Sequence, residues 1–360
     1  MTEPVPVPPV DRADLRRRID AALAAFLAQQ RGWMAGVDEA LAAVADALEA
    51  FVLRGGKRLR PAFAYWGYRG AGGPDCDRVV SALAALEFVQ ASALIHDDLM
   101  DRSDTRRGEP SIHRRFAARH RAAGWAGEPA SFGECSAILL GDLCLVWSDE
   151  LLHGSGLDPA AVARARPVFD EMRTEVTIGQ YLDVLAQASR DTSVERASKV
   201  ARYKAAKYTV ERPLLLGAAL AGAPAAVRDA YSGYGLPLGE AFQLRDDILG
   251  VFGDPGQTGK PAGDDLREGK RTYLIAAAYE ATDDAGRKLL TRRLGDPGLD
   301  AAGVDELRDV ITSSGALDRT ERRITLLTDA ALAALAAVDL EDEAREVLVD
   351  LAVAATRRKE

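Results

Sequence analysis

Apolar residues recur at three- and four-residue spacing along most of this chain. Leu15, Ile19, Leu23, Phe26 and Leu27 form one stripe, and a second pattern from Val37 to Val52 stops at Gly55–Gly56. From Val79 to Leu94 the run is mostly apolar, with Leu83, Leu86, Ala93 and Leu94 at helical spacing, which predicts a largely buried helix. Ser136 to Leu152, Pro167 to Ala188, Val194 to Leu220 and Leu236 to Leu244 continue the series, and four more helices are expected beyond Thr272. Strand-period alternation is absent. The pattern predicts an all-α fold, a large helical bundle with a deep central cavity.

Composition narrows the picture. A length of 360 residues suggests two or three domains, unless distant motifs serve one cavity. The expectation here is a single all-helical domain over 11–360, preceded by a disordered, Pro-rich arm over 1–10 (MTEPVPVPPV). The net charge of −9 argues against a nucleic-acid partner. Cys76, Cys135 and Cys144 are odd in number and lack metal-ligand spacing, so they read as small hydrophobes in a reducing cytosol. No run of eighteen apolar residues and no leader pattern at the start stand out, so a soluble cytoplasmic protein without a transmembrane segment is expected.

The chemistry concentrates in two stretches. Ile95 to Gly108 reads IHDDLMDRSDTRRG. On a helix Asp97 and Asp101 lie one turn apart with Asp98 beside them, so something cationic should sit among the three. All-oxygen ligands favour Mg²⁺ or Ca²⁺ over zinc. A solvated acidic helix end is the competing reading of this motif alone. Phe242 to Thr272 repeats the theme with Asp246 and Asp247, then Lys260, Asp264, Asp265 and Lys270 in and after a Gly-rich loop. Two carboxylate clusters with Arg106, Arg107, Lys260 and Lys270 nearby suit a magnesium-bridged diphosphate. Gly55–Gly56 followed by Lys57, Arg58 and Arg60 reads either as an anion cradle or as a helix end with solvated cations.

Together, GGKRLRP (Gly55–Pro61), both aspartate motifs, GQYLD (Gly179–Asp183) and Tyr203–Lys204 resemble the trans-isoprenyl diphosphate synthases of the polyprenyl synthetase family. The likeness runs from about Leu53 to Thr272 and points most closely to geranylgeranyl diphosphate synthases. It implies the isoprenoid synthase fold, a homodimer, and three Mg²⁺ ions per active site held by Asp97, Asp101, Asp246 and Asp247. It implies condensation of isopentenyl diphosphate with an allylic diphosphate: dimethylallyl, geranyl or farnesyl. Asp97, Asp98, Asp101, Arg106, Gln180, Lys204, Asp246 and Lys260 would then be catalytic. Lys57, Arg60, Gln90, Arg107, Asp183, Gln243 and Lys270 would bind substrate, with Lys57, Arg60, Gln90 and Arg107 on the isopentenyl side. Ser92 and Ala93 would let the growing tail pass, with Val89 and Leu86 as its floor, giving at least twenty carbons.

Three positions depart from the common family pattern. Gly250 stands where many members have a third aspartate, Gln90 replaces a histidine, and Ala205 follows Lys204 in place of a threonine. The rivals are a farnesyl or longer-chain synthase, a terpene cyclase, and a non-catalytic subunit of a hetero-oligomeric synthase. A terpene cyclase would lack GGKRLRP. A dead subunit would have lost aspartates. The polar stretch between Arg106 and Cys135 reads as a short helix and a mobile loop, either a lid or an inert insertion. His113, His120 and His153 are expected at the surface, and His96 as an orienter of its neighbour Asp97.

Overall fold

The longest apolar run became a helix with almost no solvent-facing side. Ala82 to Val89 are all buried in the helix Asp77–Met100, and the one charged residue among them, Glu87, is 6% exposed. A charge so placed needs a partner, and its partner defines part of the site described below. The computed structural model describes residues 8–253, 263–296 and 298–356. Among these the chain is all-α apart from one pair of two-residue strands.

In chain order the helices are α1 (Leu15–Val37), α2 (Ala42–Leu53), α3 (Leu59–Gly70), α4 (Asp77–Met100), α5 (Ile112–Ala123), α6 (Pro129–His153) and α7 (Pro159–Ser189). Next come α8 (Val194–Val200), a π-helical segment Ala201–Glu211, α9 (Arg212–Ala221), α10 (Ala225–Phe252) and the short α11 (Asp264–Glu268). The remainder is α12 (Tyr273–Ala281), α13 (Asp284–Arg293), α14 (Ala301–Ser313), α15 (Ala316–Ala336) and α16 (Asp342–Thr356). Among the described residues five helices therefore follow Thr272 where four were expected, because Gly295 and Gly315, both at positive φ, break the pattern into shorter pieces. Strands β1 (Thr105–Arg106) and β2 (Glu109–Pro110) pair antiparallel.

Contacts group the described chain into two compact units. One takes in the residues up to Pro167 with Pro213–Ala223 and Leu340–Leu351. Its core is α4, wrapped by α1, α3 and α6, and Phe26, Phe88 and Trp147 meet there edge to face. The other takes in Val168–Arg212, Pro224–Asp339 and the residues from Ala352. Its core joins α10, α12, α14 and α15 through Leu244, Ile248, Leu274, Leu307, Ile311 and Ile324.

Several expectations change. The Pro-rich arm is described only from Pro8, and Val10 is buried in a 3₁₀ turn over Pro9–Asp14 rather than disordered. The polar stretch after Arg106 is mostly helix: α5 packs on α6, and only Gly124–Glu128 separates them. His113 and His120 are buried there, hydrogen-bonded to Ser111 Oγ at 3.2 Å and to the Ala126 carbonyl at 3.0 Å. Cys144 is buried, which pushes its thiol up, whereas Cys135 is exposed instead of serving as a small hydrophobe. By length and composition α4 and α6 are apolar enough to cross a membrane. Of the most apolar eighteen-residue stretch of each, the protein buries 72% in α4 but only 39% in α6. Ile138, Leu139, Leu145 and Val146 make an exposed apolar stripe along α6.

Candidate active site

The first aspartate motif forms the C-terminal turns of α4, as its periodicity predicts. Asp98 is 1% exposed and lies against Arg106, whose Nε donates to Asp98 Oδ1 at 2.9 Å. Arg106 Nη2 also pairs with Asp98, and sits 3.8 Å from Asp97 Oδ2. The cation that three adjacent acids demanded is thus partly supplied by the chain itself. Asp97 and Asp101 are half-buried beside this pair.

Arg106 is held by a hairpin that the sequence did not announce. Arg107 and Gly108 join β1 to β2 with φ of 55° and 77°, the two left-handed residues of a tight hairpin turn. Only Gly108 hinted at it. The turn sends Arg106 to Asp98 and Arg107 to the end of α2, where Nη1 donates to the Arg54 carbonyl at 2.8 Å. Arg107 also packs on the glycine pair: a Cβ on Gly55 would lie 3.5 Å from its Cδ. The first aspartate motif and the GGKRLRP loop are therefore neighbours.

In that loop the cations divide by burial. Lys57 is exposed and Arg60 half-buried, while Arg58 between them is 4% exposed. Gln90 is half-buried on α4, and its Oε1 has no hydrogen-bond partner among the described residues. On the same helix Ser92, Val89 and Leu86 are buried and Ala93 is half-buried. His96 does not serve Asp97. Its Nε2 lies 3.2 Å from the Ile138 carbonyl of α6, where Gly141 leaves room for the ring.

The second unit holds the other motifs. Asp183, 6% exposed on α7, pairs with Lys204 Nζ at 2.6 Å, the partner that a buried acid requires. Its sequence neighbours Tyr181, Val184 and Leu185 are exposed, so α7 buries only one face here. Gly179 has a packing role: a Cβ there would lie 2.3 Å from the Lys204 backbone nitrogen. Lys204 sits in the π segment, a wider coil than the continuous helix expected over 194–220. Gln180 is half-buried, one position after Gly179 on α7.

On α10, Asp247 is 3% exposed and accepts a 2.7 Å bond from Gln243 Nε2. Burial pushes its carboxyl up to about 8. Asp265 and Asp246 add to the rise, and the Gln243 bond and Lys270 oppose it. Lys270 pairs with Glu268 at 2.7 Å and stands 3.7 Å from Asp265. Gly250, the departure from the family pattern, lies against α11: a Cβ on it would lie 1.9 Å from Asp265 Oδ2, so that carboxylate would have to shift to admit a side chain at 250. Lys260 lies outside the described residues.

Among the described residues, no group of three or more His, Cys, Asp or Glu side chains is arranged to hold a metal ion by itself. Comparison with known proteins agrees with the motif reading. The Polyprenyl synthetase family model matches residues 42–311. The chain is 33% identical over 302 residues to the geranylfarnesyl diphosphate synthase of Aeropyrum pernix, covering 82% of this chain and 87% of that one. It is 34% identical over 255 residues to a (2E,6E)-farnesyl diphosphate synthase of Mycobacterium bovis, covering 71% of this chain and 66% of the relative. A crystal structure of a geranylgeranyl pyrophosphate synthase from Corynebacterium glutamicum, complexed with isoprenyl diphosphate and magnesium, superposes with a TM-score of 0.93. It is 42% identical and covers 96% of this chain and 99% of that one.

Proposed function

Because the chain belongs to the polyprenyl synthetase family of prenyltransferases, we propose that it condenses isopentenyl diphosphate with an allylic diphosphate into all-trans geranylgeranyl diphosphate. The observation that carries this reading is the span of the family match. Residues 42–311 include the GGKRLRP loop, both aspartate motifs, GQYLD and Tyr203–Lys204. In this reading the two carboxylate clusters serve one reaction, and 11–360 acts as a single catalytic domain.

Three Mg²⁺ ions are the implied metal complement, and the donor set fits them. Aspartate oxygens are hard ligands of the kind Mg²⁺ takes, and such sites are usually completed by substrate phosphates. Asp97 and Asp101 would hold metal from α4, and Asp246 and Asp247 from α10, where a cation would offset the burial that pushes the Asp247 carboxyl up. Bound Mg²⁺ supplies charge neutralisation for a departing diphosphate.

The chain's own side chains do the rest. Arg106, steadied by Asp98, and Lys204, steadied by Asp183, present positive charge to the allylic diphosphate, with Lys260 and Gln180 assisting. Lys57, Arg60, Gln90 and Arg107 bind isopentenyl diphosphate, and Gln243 and Lys270 order the acids around Asp247. The apolar wall of α4 excludes water from the allylic cation. The allylic carbon–oxygen bond breaks, the isopentenyl double bond attacks to form the new carbon–carbon bond, and the proton lost goes to the released diphosphate.

Product length rests on Ser92 and Ala93, since the relatives named above make different chains. Work in the cytoplasm as a homodimer also belongs to this reading. The exposed apolar stripe of α6 supports the dimer, as a surface that a second copy would cover.

The test is diphosphate release by purified protein given Mg²⁺, isopentenyl diphosphate and each allylic partner. Release that needs both substrates is expected. Release from the allylic substrate alone would mean a cyclase, and no release would mean a non-catalytic subunit. Lys57→Ala and Arg60→Ala should raise KM for isopentenyl diphosphate far more than for the allylic substrate, and Arg106→Ala should do the reverse.

A further inference from the structure

The middle cation of the GGKRLRP loop faces inward. Arg58 is N-cap to α3 with a left-handed backbone, φ 51°, a conformation that a non-glycine residue keeps only where its surroundings fix it. Three elements do so. Arg58 Nη1 donates to Glu87 Oε2 of α4 at 2.5 Å, Nε to Asp20 Oδ1 of α1 at 2.8 Å, and Nη2 to the Val52 carbonyl at the end of α2 at 2.9 Å. Arg58 and Glu87 are 4% and 6% exposed, so each charge depends on the other. The guanidinium also lies under the loop itself: a Cβ on Gly56 would be 3.2 Å from Arg58 Nη1 and 3.6 Å from Arg107 Nη2. Glu87 is three residues before Gln90, on the same face of α4.

We propose that Arg58 and Glu87 are a positioning pair, which locks the Gly55–Lys57 loop to α4 so that Lys57 and Arg60 meet the isopentenyl diphosphate together with Gln90 and Arg107. The proposal rests on the reading that Lys57 and Arg60 bind that substrate. Arg58 itself makes no substrate contact. Its three acceptors hold its guanidinium inside, between an exposed Lys57 and a half-buried Arg60. A purely structural pair would affect stability and both substrates alike. A positioning pair affects the isopentenyl side selectively.

The deciding variant is Arg58→Met/Glu87→Leu, which removes both buried charges and leaves neither stranded. It should melt near the wild type. Its KM for isopentenyl diphosphate should rise roughly tenfold, short of the hundredfold that misplacement by about 1 Å can cost, while KM for the allylic substrate stays within about twofold. Arg58→Lys should fall between it and the wild type. Should the double variant fail to fold, Asp20→Asn tests the same tie from its half-exposed end, with an expected rise of about threefold in the same KM alone. Lys57→Ala is measured beside them. If Lys57→Ala raises KM for isopentenyl diphosphate and the anchor variants do not, the pair does not position the loop. If Lys57→Ala itself leaves that KM unchanged, the underlying assignment of the loop fails, and this proposal with it.

Discussion

Asp97 and Asp98 are adjacent acids with different neighbours, and substitution should separate them. Asp98 is buried against Arg106, so Asp98→Ala strands a guanidinium and should cost about 3 kcal/mol of stability as well as activity. Asp97 is half-buried, and Asp97→Ala should lower turnover by orders of magnitude with a much smaller change in melting temperature. Equal thermal losses would contradict this division. Glu175 gives a pH test. Burial would raise its pKa, but hydrogen bonds from Arg212 and Lys207 outweigh that and hold the carboxyl below the ordinary 4.5. A depressed folded pKa stabilises above the unfolded value, and that stability is lost as pH falls through the folded one. Glu175→Gln should therefore cost about 3 kcal/mol at neutral pH. The deficit should shrink below pH 4.5, read by denaturant unfolding across pH. A constant deficit would mean that the ion pairs contribute nothing.

At the scale of elements, close approach of backbones fixes where the π segment carries Lys204. α7 meets the π segment at Gly179, and α10 meets it at Gly239, where a Cβ would lie 2.5 Å from the Ala206 carbonyl. Gly179→Ala should cost about 1–3 kcal/mol by overpacking. It should also lower kcat by displacing Lys204, whereas Gly32→Ala, with open space around it, should do neither. Normal kinetics for Gly179→Ala would show that Lys204 needs no fixed placement. These elements also mark how far the sequence could be read. Helix periodicity exposed α4, and local like-charge repulsion exposed the need of its aspartates for a cation. The link from Arg58 to Glu87 spans 29 residues, and that from Gly250 to Asp265 depends on how a loop returns. The π segment and the Arg107–Gly108 turn have no composition of their own. Both arise from packing, so neither periodicity nor motif spacing reveals them.

At the scale of the whole molecule, the claim is that the chain is a prenyl-chain elongator whose product length is set along α4. Ala93 lies four residues before Asp97, about one turn or 5.4 Å down the helix, and Ser92 is beside it. Both are small, and Val89 and Leu86 lie further down and buried. On the proposed reading each turn would gate roughly one isoprene unit, and small residues one turn down would admit at least a twenty-carbon tail. The most direct measurement is the chain length of products made from isopentenyl and geranyl diphosphates with Mg²⁺, for the wild type and for Ala93→Phe side by side. A twenty-carbon main product for the wild type, shortened toward fifteen carbons by Ala93→Phe when geranyl diphosphate is the primer, is the predicted result. A wild type that stops at fifteen carbons, or a Phe variant with unchanged products, would contradict it.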